Sequence, residues 1–353
     1  MSIAATEPLG TPGERKAAAK SSRPRPWIFI TWYPYCRRSD RLAEQLGARS
    51  YLVHYLRFKS PAVAPVKYLL QAMKTASILL RDRPSIVLTA VPPVVSALVI
   101  WCLSGILRYR LVIDAHSGTF QHSRWRWSLP VQRFLSRRAV ATVVTSDHMA
   151  NVVRSWGATA SMVQELSLDL RPQGVRRAGE AFRVVFICTY SVDEPVDAVL
   201  EAARRLPDVS FTLTGDPSYA RRGLRESLPP NVKLTGFIPD NEYLDLLREA
   251  DALLVLTLED HTMQRGGYEA MAMEKPLITS NWALLREVFG RGTVHVDNTP
   301  ETIAAAVRTV QADPDFWGRE MREQKKARAR ITALQVGRLF ALCESADSDR
   351  SLS

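Results

Sequence analysis

The sequence predicts two doubly wound α/β domains in tandem, and three observations carry that reading. At 353 residues the chain is too long for one ordinary core and about right for two. From residue 26 onward, continuous apolar strands alternate with amphipathic helices, the pattern of a parallel sheet covered on both faces. The alternation stops at "DLRPQGVRRAGEA", residues 169–181, which holds Pro172 and Gly174 and has no apolar period, and then it restarts.

The first domain, 25–170, begins with the strand "WIFITW" and a helix near 39–47. The strand "SYLVHY" and a helix over about 65–81 follow, then "IVLTA" and a helix over 94–107. "RLVIDA", a basic helix over 128–138, "TVVTS" and a helix over 147–156 complete it. The 22 uncharged residues 86–107 could be mistaken for a membrane span. Pro92-Pro93 divide them into a strand and a helix that rises only about 21 Å, short of a hydrocarbon core of about 30 Å. They read as a buried strand and a buried helix.

Residues 171–181 form the linker. The second domain, 182–314, runs "FRVVFICT", a helix over 195–205, "VSFTLTG", "VKLTGF", a helix over 240–249 and "ALLVLT". A helix containing Glu269, then "PLITS", "TVHVD" and a helix over 300–312, finish the pattern. Residues 315–345 read as a pair of Arg/Lys-rich amphipathic helices packing back toward the first domain. The ends, 1–24 and 346–353, read as disordered, and the first has no apolar core of a secretory signal.

Charge is divided unevenly. Residues 1–175 hold 24 Lys+Arg against 9 Asp+Glu, a net of +15, whereas the remainder holds 23 against 27. A basic first domain suits a polyanion, either nucleic acid or an anionic bilayer. The chain shows no helix-turn-helix, RRM or zinc pattern, which weighs against nucleic acid. Cys36, Cys102, Cys188 and Cys343 are far apart with no CxxC pair, so they read as free, buried thiols in a reducing cytoplasm.

Two tandem α/β sheets offer ligands the ends of their strands. In the second domain those ends carry Thr189-Tyr190, Gly215-Asp216 and Phe237-Ile238-Pro239, small or polar residues suited to a nucleotide. Neither GxGxxG nor GxxxxGK[ST] occurs, which leaves dinucleotide and P-loop chemistry without support. The stretch "HTMQRGGYEAMAMEKPLITS", 261–280, is the most site-like. Thr262 and Gln264 lead into Arg265-Gly266-Gly267, whose glycines are read as opening a helix with their N–H groups aimed at an anion. Arg265 can fork onto a diphosphate. Glu269, read on the first turn, can accept from both hydroxyls of a ribose; the alternative is a capping-box carboxylate.

At this point the chain resembles the GT-B glycosyltransferases, in particular their GT4-like group. "GFIPDNEYLDLLREADALLVLT" is similar to the family's run leading to the donor site, and "YEAMAMEKPLITS" to its "EAMA-x-G-K-P-V-I-x-S" segment. "LVIDAHSG" more weakly resembles a "T-x-H-G" strand end. The resemblance implies two Rossmann-like domains, a UDP- or GDP-linked sugar as donor substrate, no cofactor and no bound metal. It also implies Glu269 on the donor ribose and the loop after Ile238-Pro239 around the base. Two departures stand out. The first of the family's two glutamates, eight positions apart, is here His261, and the Arg…Lys pair of the first loop is replaced by "TYSVDEPVD". Arg265 with Gly266-Gly267 is closer to the R-x-G-x…E pattern of inverting MurG-like enzymes, so stereochemistry is left open.

An inverting enzyme needs a base for the acceptor hydroxyl. Asp114 and His116, ending "RLVIDAH", are the candidates, without preference between them; His122 is a weaker one. Tyr33, Arg37 and Arg38 in "YPYCRRSDR" would border the acceptor, the arginines meeting the diphosphate of a lipid-linked sugar or standing as surface charge. "RWRWSLPVQRFLSRR", 124–138, interleaves Arg with Trp125 and Trp127 as headgroup-layer segments do. The expected protein is therefore a glycosyltransferase on the cytoplasmic membrane face, using a lipid-linked or saccharide acceptor in bacterial exopolysaccharide, capsule or lipopolysaccharide assembly. The alternatives are a nucleotide-sugar epimerase of the same fold and a basic nucleic-acid-binding protein.

Overall fold

The structure, a computed structural model, describes residues 25–34, 36–55, 63–121, 123–164, 170 and 181–351. The expected disordered start (1–24), most of the linker and His122 lie outside the described residues. The chain divides into two units, the second spanning Ser167–Thr332 and the first taking the rest, including the final residues from Ala333.

In the first unit the strands are β1 (Trp27–Thr31), β2 (Arg49–Leu52), β3 (Ile86–Val91), β4 (Arg110–Ala115), β5 (Ala141–Val144) and β6 (Ala160–Met162). They form one parallel sheet in the order β2-β1-β3-β4-β5-β6. Helices α1 (Arg37–Gln45), α2 (Ala64–Asp82), α3 (Val94–Leu107), α4 (Gly118–Gln121), α5 (Leu129–Ser136) and α6 (Asp147–Ser155) connect them. Every residue of β1 and β3 is buried, as a strand covered on both faces must be. The apolar stretch 86–107 is β3 followed by the 14-residue α3. No helix among the described residues is long and apolar enough to cross a membrane.

The second unit contains β7 (Phe182–Phe186), β8 (Val209–Leu213), β9 (Val232–Leu234), β10 (Ala252–Val255), β11 (Leu277–Ser280) and β12 (Thr293–Val296). Its helices are α7 (Val196–Arg204), α8 (Asp240–Glu249), α9 (Arg265–Ala272), α10 (Ala283–Val288), α11 (Pro300–Ala312) and α12 (Pro314–Ser351). The parallel order β12-β11-β10-β7-β8-β9 is that of a dinucleotide-fold sheet, reversing direction between β7 and β10.

Three expectations need correction. The segment 315–345 is one part of a single 38-residue helix, α12, rather than a pair. Its only proline is Pro314, at the first position where proline suits a helix, and nothing later breaks it. That helix also takes in most of the expected tail, to Ser351. The basic helix expected over 128–138 is the shorter α5, with Pro130 in its first turn, and a 3-10 segment, Ser123–Ser128, leads into it. Met321 of α12 is buried in the second unit's core, while Val336, Leu339 and Cys343 pack with Trp27, Phe29 and Leu42 in the first.

Candidate functional site

The reversal between β7 and β10 leaves a crevice at their C-terminal ends, and α9 lies over it. Its glycines explain how it lies so close. A Cβ on Gly266 would stand 2.9 Å from Val255 Cγ2 and 3.1 Å from Ile187 Cδ1; one on Gly267 would be 2.6 Å from Phe289 Cζ. The pair is therefore required by packing. The helix starts at Arg265, one residue earlier than expected, and the Gly267 N–H is turned back onto Gln264 O at 3.3 Å. The expected anion-facing N–H of Gly267 is thus corrected.

Glu269 falls on the second turn, not the first, one turn beyond Arg265. Its carboxylate is buried, and its two oxygens are held separately: Arg265 Nε forms an ion pair with Oε1 at 2.9 Å, and the Tyr243 hydroxyl of α8 donates to Oε2 at 2.5 Å. This excludes the capping-box role. A carboxylate has about four lone-pair sites, so acceptor capacity remains. The Arg265 side chain is half exposed, and a guanidinium has five donors. Gln264 donates to Leu256 O at 2.7 Å, while its Oε1 is buried without a partner. Thr262 is half-buried in the same loop. Tyr243 was missed by sequence reasoning, because a tyrosine among the leucines of an amphipathic helix carries no signal of its own.

The other strand ends are mixed. Gly215 (φ +87°) has no room for a side chain, since a Cβ would lie 2.4 Å from Cys188 O. It bridges to Gly236, which places Phe237, 90% exposed, just beyond; Ile238 is half-buried, and Pro239 is the N-cap of α8. Asp216 is spent on capping Ser218 N at 2.9 Å. Thr189 is exposed, but its N–H and that of Ser191 both donate to Glu194 Oε2, at 2.8 and 3.0 Å. Burial pushes the Glu194 carboxyl upward against those two bonds. Tyr190 is a correction: its ring belongs to the core with Phe186 and Leu213, and its hydroxyl is buried without a partner.

In the first unit the ends of β1, β3 and β4 gather Tyr33, Cys36, Arg38, Asp114 and His116. Asp114 is wholly buried; Arg38 Nε and Nη2 donate to its Oδ1 at 3.3 and 3.2 Å, and His116 Nε2 lies 3.4 Å from its Oδ2. Arg38 also donates to the carbonyls of Val163 (2.8 Å) and Gln164 (3.3 Å). Only 7% exposed, it is an internal cation, which corrects the expected acceptor contact. The Tyr33 hydroxyl donates to Pro92 O, and its ring lies 6.5 Å from the His116 ring. Arg37 opens α1.

Although burial opposes its charge, Asp114 is held down at about 2 by Arg38 and His116. For His116 burial also opposes charge, yet Asp114 and the Cys36 thiol raise it to about 9. In its charged form the ring donates hydrogen bonds, and in its neutral form it can take a proton. Among the described residues there is no group of three or more His, Cys, Asp or Glu side chains placed to hold a metal.

Residues 181–313 match the family model described as "Glycosyl transferases group 1". That match lies within the second unit. Over 195 residues the chain is 27% identical to a GDP-mannose-dependent alpha-(1-6)-phosphatidylinositol dimannoside mannosyltransferase of Mycobacterium tuberculosis, a match covering 51% of this chain and 50% of that protein. The chain thus spans about half the length of the relatives it matches. In fold the chain is of the GT-B class, with two Rossmann-like units. Sucrose-phosphate synthase of Thermosynechococcus elongatus matches with a TM-score of 0.71 at 17% identity, covering 91% of this chain and 100% of its own. Anabaena HepE in complex with UDP and glucose matches at 0.63 and 15%, covering 91% and 99%. A Listeria monocytogenes protein described as a UDP-N-acetylglucosamine 2-epimerase matches at 0.62 and 10%, covering 92% and 97%.

Proposed function

We propose that the protein transfers a sugar from a UDP- or GDP-linked donor to a lipid-linked or saccharide acceptor, without a bound metal, at the cytoplasmic face of a membrane in bacterial polysaccharide assembly. The observation that carries this reading is the Arg265–Glu269–Tyr243 arrangement on α9 and α8, within the residues that match the group 1 glycosyltransferase family and over the reversal point of the second unit's sheet. Arg265, with donors to spare, meets the diphosphate, whose negative charge grows as the sugar leaves. Glu269 takes the ribose hydroxyls on its remaining lone pairs, and Phe237 offers an exposed ring to the base. His116 serves as a cation and hydrogen-bond donor in this reading. The relative's use of GDP-mannose and the UDP complex of HepE support a nucleotide-sugar donor without choosing the base.

Purified protein incubated with single UDP- and GDP-sugars, with products read by mass spectrometry, tests this reading. Release of a nucleoside diphosphate that requires an added acceptor supports transfer. An altered sugar nucleotide formed without acceptor favours the epimerase reading, which the match to the Listeria protein keeps in view. Binding of a DNA duplex as tightly as a nucleotide would sink both.

A further inference from the structure

A glutamate side chain ends in a broad, roughly two-fold torsion, so one contact on one oxygen leaves the plane of its carboxylate undetermined. Glu269 is held at both. Arg265 Nε, one turn earlier on α9, stands 2.9 Å from Oε1, and the Tyr243 hydroxyl donates to Oε2 at 2.5 Å from a different helix, α8. Arg265 is half exposed, whereas Tyr243 is held by ring and backbone. Its ring packs against the core cluster that includes Tyr268 and Met271 of α9. Its N–H donates to Pro239 O at 2.9 Å, in the first turn of α8. That turn begins where Phe237-Ile238-Pro239, the segment given to the base, ends. Glu269 is only 5% exposed, so the plane these two contacts set is the one a ligand meets.

We infer that Tyr243 is a positioning residue for the donor's ribose: through its hydroxyl on Oε2 it sets the Glu269 carboxylate so that one lone pair on each oxygen faces the two neighbouring hydroxyls of a cis-diol. Tyr243 has this role only if Glu269 takes the ribose, as proposed above. A carboxylate offers about two lone-pair sites per oxygen, and each oxygen spends one on the protein, Oε1 on Arg265 and Oε2 on Tyr243. One acceptor per oxygen remains, on neighbouring atoms of one plane. That suits two hydroxyls on the same face of a ring better than two on opposite faces. Without the tyrosine hydroxyl, the carboxylate is free to turn both oxygens onto the Arg265 guanidinium, in the bidentate geometry that such pairs favour. The turn would spend the lone pairs that the ribose needs. Tyr243 keeps the carboxylate from closing on its own arginine.

The test is calorimetry on the full chain with UDP and GDP and their 2′-deoxy, 3′-deoxy and arabino analogues, with no acceptor present. A hydrogen bond to a charged group is worth roughly 10- to 150-fold in affinity, so the wild type should prefer the ribonucleotide to either deoxy analogue by that factor. The arabino epimer, whose 2′-hydroxyl lies on the other face of the ring, should bind no better than the 2′-deoxy analogue. Tyr243→Phe removes one oxygen and leaves the ring in its core. It should cut the preference for the ribonucleotide about tenfold, the low end for one such bond. A loss of stability alone would weaken every ligand alike and leave the ratios unchanged. In Glu269→Ala the preference should already be gone, and adding Tyr243→Phe should change nothing, because the hydroxyl acts through the carboxylate. Wild-type ratios in Tyr243→Phe overturn the inference and leave the ribose contact of Glu269 standing. A preference that survives in Glu269→Ala and is then removed by Tyr243→Phe would make the tyrosine a direct ligand contact, which overturns it too. A wild type that binds UDP or GDP without regard to the ribose hydroxyls, or binds neither, overturns it together with the donor reading.

Discussion

Arg265 Nε and Glu269 Oε1 stand 2.9 Å apart across one turn of α9, one partner half exposed and the other almost wholly enclosed. The asymmetry separates their roles. The buried carboxylate is held by the arginine and by the Tyr243 hydroxyl, while the arginine has donors left over for a ligand.

Arg265→Ala should therefore have two separable effects. Loss of a charge-assisted hydrogen bond to a diphosphate costs about 1.5 to 3 kcal/mol, or roughly 10- to 150-fold in affinity. The free nucleoside should lose far less. Calorimetry with UDP or GDP against the matching nucleoside measures the difference. Equal losses for both would mean that Arg265 acts only by holding Glu269. A lower melting temperature is expected in either case, because Glu269 would be left with Tyr243 alone.

Gly267→Ala tests whether the glycine pair is there for packing. Its Cβ would intrude to 2.6 Å of the Phe289 ring, and overpacking of this kind costs about 1 to 3 kcal/mol. Trimming the ring with Phe289→Leu should recover much of that loss in the double variant, as measured by denaturant midpoints. A double variant no better than the sum of the two singles would show that the methyl is harmful for another reason.

The fold was legible because strands buried on both faces read as continuous apolar runs. β3, β4 and β10, and the helices α3, α8 and α11, stand where their patterns put them. β6 and α4 were missed because three or four residues carry no period, and α12 was divided because a long solvated helix has no single apolar face. In the site, Arg265 and Glu269 were legible as a charged pair at helical spacing. What they touch was not: Tyr243 reaches Glu269 from 26 residues away, and the contacts that fill the Cβ positions of Gly266 and Gly267 come from three separate elements. Arg38 was misread because two adjacent arginines after a strand look like surface, whereas a helical turn sends this one inward to Asp114.

Arg38→Ala should be among the most destabilising single changes in the first unit. It strands a fully buried carboxylate, and breaking a buried pair from one side costs about 3 to 5 kcal/mol. Asp114→Asn in the same chain should recover part of this by removing the charge. For Asp114 the folded value lies below the free one, so its stabilisation is present above the usual 3.8 and is lost as pH falls through about 2. Acid unfolding of the wild type that is unaffected by Asp114→Asn would contradict the assignment.

His116 runs in the opposite sense. Its value is raised from 6.5 to about 9, so its stabilisation is complete below 6.5 and disappears as pH rises through about 9. The groups facing it are Asp114, Cys36 and Arg38, and the first two account for the rise. Stability measured by urea between these limits should decline in the wild type and flatten in His116→Gln. Imidazole NMR should show the ring still protonated at neutral pH. A ring titrating near its ordinary value would favour His116 as the candidate base.

The last prediction concerns the membrane. On α2, Val66, Leu69, Met73 and Leu80 are each more than half exposed, at spacings of three, four and seven that place them on one side of the helix. α2 packs on α3 and α3 on α5. Trp127, before α5, is 64% exposed with Arg126 exposed beside it. An apolar stripe with tryptophan, on a unit whose sequence carries a large positive excess, suits an anionic bilayer surface. Each Lys or Arg close to such a surface adds about 1 kcal/mol, screened beyond a Debye length of about 8 Å. Binding to liposomes should therefore rise with anionic lipid content and fall with salt. Leu69→Asp with Met73→Asp, or Trp127→Ala with Arg126→Glu, should weaken it at unchanged nucleotide affinity, because none of the four residues belongs to the second unit, where the proposed donor contacts lie. Salt-resistant binding that survives both pairs would place the attachment outside α2 and the Ser123–Ser128 segment. With no liposome affinity at any lipid composition, the lipid-linked acceptor loses its support and a soluble saccharide takes its place.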